Sequence, residues 1–218
     1  MTDHRASARE MSELIRKKYT AASQTEEERY FDAAMKLILL AQEGKNRSLM
    51  LTEAAKAIHR VFGFQEVAIG TRSPEDGKYR YEAIVGHTRE AEEALRTYAY
   101  TRDQMADCSD YPGVVISKYT DFTIMEIESP KIIAEEKSFN RPFILRQKRP
   151  SPDDMIEGDY IDVYIYAEKD NMIGWVELGN KRDGKLPSRI ALKWIEFFSA
   201  IVGLGIRTIE ILSSKREA

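Results

Sequence analysis

The sequence predicts an α+β domain: a central antiparallel β-sheet flanked by helices, with an N-terminal helical extension and a long C-terminal helix. Three observations predict it. Apolar residues recur at helical spacing through the first 62 residues. The period then shortens to that of strands in two separate blocks. The second block runs into a helix with an unbroken apolar seam. With 218 residues the chain suits one well-packed domain plus extensions better than two full domains. We place a helical extension at residues 1–48, the domain at 49–212 and a tail at 213–218.

Residues 5–44 alternate charged and apolar positions and predict two helices, one through Met11, Leu14, Ile15 and Tyr19 and the next through Tyr30, Phe31, Ala34, Met35 and Ile38. The polar stretch at 23–28 breaks them and supplies a new N-cap, because a Ser or Thr followed by acidic residues satisfies free amides and complements the helix dipole. Residues 49–62 form a third amphipathic helix, and Gly63 is placed to stop it. Residues 66–71 and 78–85 have strand composition around a turn at 73–77, which makes a first hairpin. Residues 88–98 return to helical character, 103–112 are polar and turn-rich, and 113–119 read as a strand. From 120 to 158 four prolines interrupt the pattern, so short elements and loops are expected there.

Residues 159–167 and 173–179 are rich in aromatic and β-branched residues and predict a second hairpin, joined by the polar link 168–172. Pro187 suits a helix entry. Along the last helix Ala191, Ile195, Phe198, Val202, Gly205, Ile209 and Leu212 recur at spacings of four and three. That seam either packs on the sheet or pairs with a second copy of the chain. Residues 207–212 are the best candidates for the pairing.

Composition excludes several classes. A formal net charge of −3 provides no global basic field, so nucleic acid is not an expected partner. No apolar run approaches the roughly 20 residues that cross a bilayer, and the charged N-terminus lacks the apolar core of a secretory signal, so a cytoplasmic protein with no membrane partner is expected. Cys108 is the only cysteine, which leaves no intrachain disulfide, CxxC pair or cysteine-based zinc site. His4, His59 and His87 are too scattered for a metal site, and no catalytic cluster stands out.

The chain resembles a GAF domain through residues 51–64 running into Val67, Ala68 and Ile69, then 83–86, and finally 173–180 with Pro187 and Ser188 opening the last helix. The pieces keep the family's order across residues 49–212, about three-quarters of the chain. The resemblance implies a GAF/PAS-like sensory module: an antiparallel sheet, a pocket on one face closed by variable middle loops, and flanking helices that dimerise. Asn180 and Lys181 are similar to the start of the NKFDE signature of phosphodiesterase GAF domains, but the later Phe and the Asp-Glu pair are missing. The family also holds bilin-binding phytochromes and a methionine sulfoxide reductase, and such a reductase needs more cysteine than this chain has.

Within that frame the ligand-binding candidates are Tyr111, Tyr119, Phe139 and Phe143, aromatics in the middle segment, together with His87, which the resemblance puts near the pocket mouth. Such aromatics also fill ordinary cores. Arg141 and Arg146 beside them could meet an anionic group or solvent. Cys108 offers a redox or covalent role, although Asp107 and Asp110 next to it oppose thiolate formation. The expected protein is a non-catalytic small-molecule sensor acting as a homodimer. Alternatives are a docking module for a signalling partner, and a thiol enzyme or redox sensor using Cys108. The residues name neither a ligand nor a cofactor.

Overall fold

The computed structural model describes residues 25–44, 46–106, 113–127, 134–145, 147–168 and 171–217, together with Met11 and Glu13. The chain divides into two units, residues 1–32 and 33–218. In the first, Met11 and Glu13 are helical and helix α1, Glu26–Glu43, begins. Its start is a capping box: the Thr25 hydroxyl accepts from the Glu28 amide at 3.2 Å, and the Glu28 carboxylate accepts from the Thr25 amide at 2.7 Å.

The second unit is built on a six-stranded, wholly antiparallel sheet. Helix α2, Arg47–Phe62, starts two residues earlier than the sequence predicts, because the Asn46 side chain caps it by accepting from the Leu49 amide at 3.0 Å. Gly63 ends it in the left-handed conformation at φ 75°, which glycine adopts without Cβ strain. Strands β1, Phe64–Arg72, and β2, Tyr79–Val85, form the first hairpin. Thr88 then caps the short helix α3, Arg89–Leu95, and α4, Arg102–Ala106, lies in a stretch whose composition reads as turn.

Strands β3, Gly113–Ser117, and β4, Thr120–Thr123, follow, then two 3₁₀ turns at Glu136–Ser138 and Pro142–Ile144. β5, Tyr160–Glu168, and β6, Asn171–Lys181, make the second hairpin, and they continue to a paired Glu168 and Asn171, closer together than the sequence places them. The final helix α5, Arg189–Glu217, opens with the Ser188 hydroxyl accepting from the Ala191 amide. The strand order is β2-β1-β6-β5-β4-β3, so the hairpin last in the chain lies at the centre and each preceding hairpin forms an edge.

Period-two alternation gives the sheet two faces. Val67, Ile69, Ile161, Val163, Ile165, Val176 and Leu178, all at most 2% exposed, face α2 and α5. There the Phe62 and Phe198 rings meet edge to face at 5.3 Å. Ala191, Ile195, Phe198, Val202 and Gly205 of the predicted seam are buried, so the seam packs inward over most of its length. Leu212, further along it, lies against Gly44. Arg47 ties α2 to the sheet by a fork to Glu82 at 2.8 and 3.2 Å and a bond to the Thr71 hydroxyl at 2.6 Å.

Candidate functional site

The opposite face of the sheet carries a different set of side chains. Residues two apart on a strand share a face, so β5 presents Tyr160, Asp162 and Tyr164, β6 presents Trp175 and Glu177, and β4 presents Asp121 and Thr123. β2 adds Tyr81. Over them lie Leu95, Tyr98, Tyr100, Gln104 and Met105 from the segment after β2, and Glu135, Ser138 and Phe139 from the first 3₁₀ turn. The sheet and this cover enclose a cavity of about 70 Å³.

Several local features hold the cavity open. Tyr100 is stitched to the sheet edge by reciprocal backbone hydrogen bonds with Tyr79 of 2.8 and 2.9 Å, which brings the covering segment down beside β2. Trp175 anchors one wall, with the rings of Tyr81 at 5.0 Å and Tyr100 at 6.0 Å edge-on to it. Its indole lies over β1 only because position 70 is glycine: a Cβ there would sit 2.1 Å from the ring. On the opposite side Arg149 forks onto the buried carboxylate of Asp159 at 2.7 and 2.9 Å, and Asp159 also accepts from the amides of Met125 and Ile156. This pins the proline-rich connection to the start of β5.

The electrostatics of the cavity are one-sided. Asp121 stands directly opposite Asp162 in the β4–β5 ladder, and Asp162 directly opposite Glu177 in the β5–β6 ladder. Cross-strand neighbours on one face lie about 5 Å apart at Cβ, so three carboxyls form a continuous row where like charges repel. Glu135 adds a fourth from the cover. No lysine or arginine lines the cavity among the described residues. Phenols take up part of the load: Tyr164 donates to Asp121 at 2.8 Å and Tyr81 to Glu177 at 2.5 Å. Asp162 has no such relief, because its Oδ1 is buried without a hydrogen-bond partner.

The proton affinities follow. Burial raises the Glu177 carboxyl to about 7, with the Glu135 charge adding to the rise and hydrogen bonds from Tyr81 and Trp175 opposing it. Burial, then the charges of Glu177 and Asp121, hold Asp162 well above the usual carboxylate range. Burial and the neighbouring Glu177 push the Tyr81 hydroxyl well above its ordinary value, so it remains a donor. Next to the cavity, burial and the Glu157 charge raise Glu66 to about 7.

Of the residues that the sequence nominates, Phe139 lines the cavity. Tyr119 sits in the β3–β4 turn, half exposed against the Tyr166 ring at 5.8 Å. Phe143 belongs to the second 3₁₀ turn and is 84% exposed. His87 follows β2 away from the lining; burial lowers its imidazole to about 4, which keeps it neutral near pH 7. Tyr111, Cys108 and Arg146 lie outside the described residues. Arg141 is committed to Glu157, with two bonds of 2.9 and 2.7 Å to one carboxylate oxygen. Asn180, at φ 51°, reaches Glu66 and Glu157 at 3.4 and 3.3 Å, and Lys181 pairs with Asp183, so both have local structural partners.

Sequence reasoning missed the carboxylate row and most of the aromatic wall. Tyr160, Asp162, Tyr164, Trp175 and Glu177 stand within the predicted hairpin, and an acidic residue at alternate strand positions was the available signal. Only the strand register shows that these acids face one another. No histidine or cysteine lines the cavity, and no group of three or more His, Cys, Asp or Glu side chains is arranged to hold a metal, in both cases among the described residues.

No family model matches the sequence, and no curated protein does. Solved structures do match. The GAF domain/HD domain protein from Geobacter sulfurreducens superposes with a TM-score of 0.54 at 8% identity, over 78% of this chain and 98% of that one. The phycoerythrobilin-bound GAF domain from a cyanobacterial phytochrome gives 0.53 at 11% identity, over 88% and 100%. The GAF domain from an Acinetobacter phosphoenolpyruvate-protein phosphotransferase gives 0.51 at 10% identity, over 83% and 94%. The fold is therefore that of GAF domains, the six-stranded antiparallel sheet with flanking helices. Among the described residues no helix is long and apolar enough to cross a membrane.

Proposed function

We propose that this chain is a non-catalytic ligand-sensing domain that holds a small molecule in the cavity between the sheet and the cover formed by residues 95–105 and 135–139, and that it works as a homodimer through α5. The observation that carries the reading is the cavity itself, where aromatic walls and a buried carboxylate oxygen without a partner await a complement. The sheet is the physical link between ligand and helix. Tyr164 of β5 faces the cavity while its neighbours Val163 and Ile165 face α5, and Gly203 of α5 lies so close that a Cβ there would sit 2.9 Å from the Tyr166 carbonyl. A ligand that shifts β5 and β6 shifts α5 with them, and a domain with two such positions transmits occupancy.

Dimerisation has its own support. Ile190, Phe197, Leu204 and Ile211 recur every seven residues on α5, one position before the buried seam, and all four are exposed, Leu204 by 68%. A heptad-spaced apolar stripe open to solvent matches a second copy of the same helix. The test is sedimentation of the full chain across a concentration series, with Leu204→Glu beside it. A dimer that Leu204→Glu dissociates without loss of thermal stability is the expected result. A wild-type monomer at high micromolar concentration rejects this part of the proposal. For the ligand, native mass spectrometry of freshly purified protein should reveal a bound small molecule, and repeated preparations with none favour a docking module.

A further inference from the structure

We propose that the cavity takes a small aliphatic amine in its ammonium form, with Asp162 and Glu177 receiving its N–H groups and Tyr81, Tyr100 and Trp175 forming its wall. This deepens the sensor reading and rests on it.

Charge selects the sign of the ligand. Four carboxyls line the cavity with no lysine or arginine among the described lining residues, so an anion such as a phosphate would find no cationic side chain to pair with. The row of Asp121, Asp162 and Glu177 is unfavourable when empty and ionised, and a cation placed against it converts that repulsion into binding. The wall is rich in Tyr and Trp, the side chains whose π-faces attract organic cations. Hydrogen bonding selects the kind of cation. Asp162 Oδ1 is buried without a donor, and an ammonium N–H supplies one where a quaternary ammonium cannot. The described acidic side chains are not grouped to ligate a metal ion, and an organic cation matches walls in which seven of sixteen lining residues are aromatic.

Binding should also release protons. The titratable groups that line the cavity with Glu177 are Tyr81, Tyr98, Tyr100, Tyr160, Tyr164, Asp121, Asp162 and Glu135, and Glu66 lies further along the face. Glu177, raised to about 7, and Asp162, held well above the usual carboxylate range, are the carboxyls that an arriving ammonium ionises.

The test uses the full chain carrying Trp194→Phe, which leaves Trp175 as the sole indole reporter. Methylammonium, 1,4-diaminobutane, tetramethylammonium and potassium chloride are titrated at constant ionic strength at pH 8, following Trp175 fluorescence. We expect saturable changes with the two primary amines and binding of tetramethylammonium and potassium weaker by about tenfold or more. Asp162→Asn and Glu177→Gln should each weaken amine binding by about tenfold while the thermal midpoint stays at or above that of the parent. Calorimetry in two buffers of different ionisation enthalpy should show protons released on binding at pH 7. Equal affinity for tetramethylammonium, or amine affinity unchanged by Asp162→Asn, overturns the assignment. If an uncharged or anionic compound saturates the Trp175 signal and amines do not, the amine assignment falls and the sensor reading stands. If no compound of any charge binds, both fall.

Discussion

Glu177 and Asp162 share the cavity face; burial raises both carboxyls, and the Glu177 charge adds to the rise at Asp162. For Glu177 the sign is fixed by comparison with an unfolded glutamate, whose value near 4.5 lies below the folded value of about 7. Between those limits the native state binds the extra proton, so this contribution to stability is whole below about pH 4.5 and is lost as pH rises to about 7. Glu66 acts in the same direction over the same window. His87 acts in the opposite one: its folded value of about 4 lies below the ordinary 6.5, so its contribution is whole above pH 6.5 and is lost as pH falls to about 4. Glu177→Gln should therefore match the wild type at pH 4.5 and exceed it by up to about 3 kcal/mol at pH 8. Urea unfolding at a series of pH values measures this, and a pH-independent difference would contradict it. Asp159 belongs to a different class of buried charge, fully paired with Arg149 and two backbone amides. Asp159→Ala leaves those two amides without their acceptor and strips Arg149 of its buried partner, with only the more exposed Glu126 and the Asp154 carbonyl still accepting from it, and should cost about 3–5 kcal/mol by chemical denaturation.

At the scale of elements, α5 carries two apolar seams one residue apart. The inner one, Ala191 to Gly205, closes the core against the sheet, and the outer one, Ile190 to Ile211, faces solvent. Phe198→Ala should open a cavity beside Phe62 and cost about 3–5 kcal/mol in thermal unfolding, whereas Phe197→Glu on the outer seam should leave the protomer folded and act on assembly. A helix of this composition reads as a heptad from sequence, but nothing in the spacing says which of two offset seams meets the sheet. That choice needs the direction of approach, and position 203 helps set it by letting the helix backbone reach the Tyr166 carbonyl. Strand β4 was illegible for a related reason. Four residues carry little periodicity of their own, and Thr120–Thr123 is a strand because β5 and β3 pair with it.

At the scale of the whole molecule, the sheet is a wall shared by two chemistries. One face is apolar and packs helices; the other is aromatic and acidic and encloses space. The sequence alone determined the class of fold, the two hairpins, an N-cap within residues 23–28, the stop at Gly63 and the apolar seam of the last helix, because caps, turns and periodicity act between residues near in the chain. Tertiary structure alone decided the site. Asp121 lies 41 positions before Asp162 and Glu177 lies 15 after it, and the three become neighbours only when β4, β5 and β6 pair in one register. A one-residue slip in that register would turn the acids toward the helices, so their convergence is a property of strand pairing and burial, which local composition does not encode.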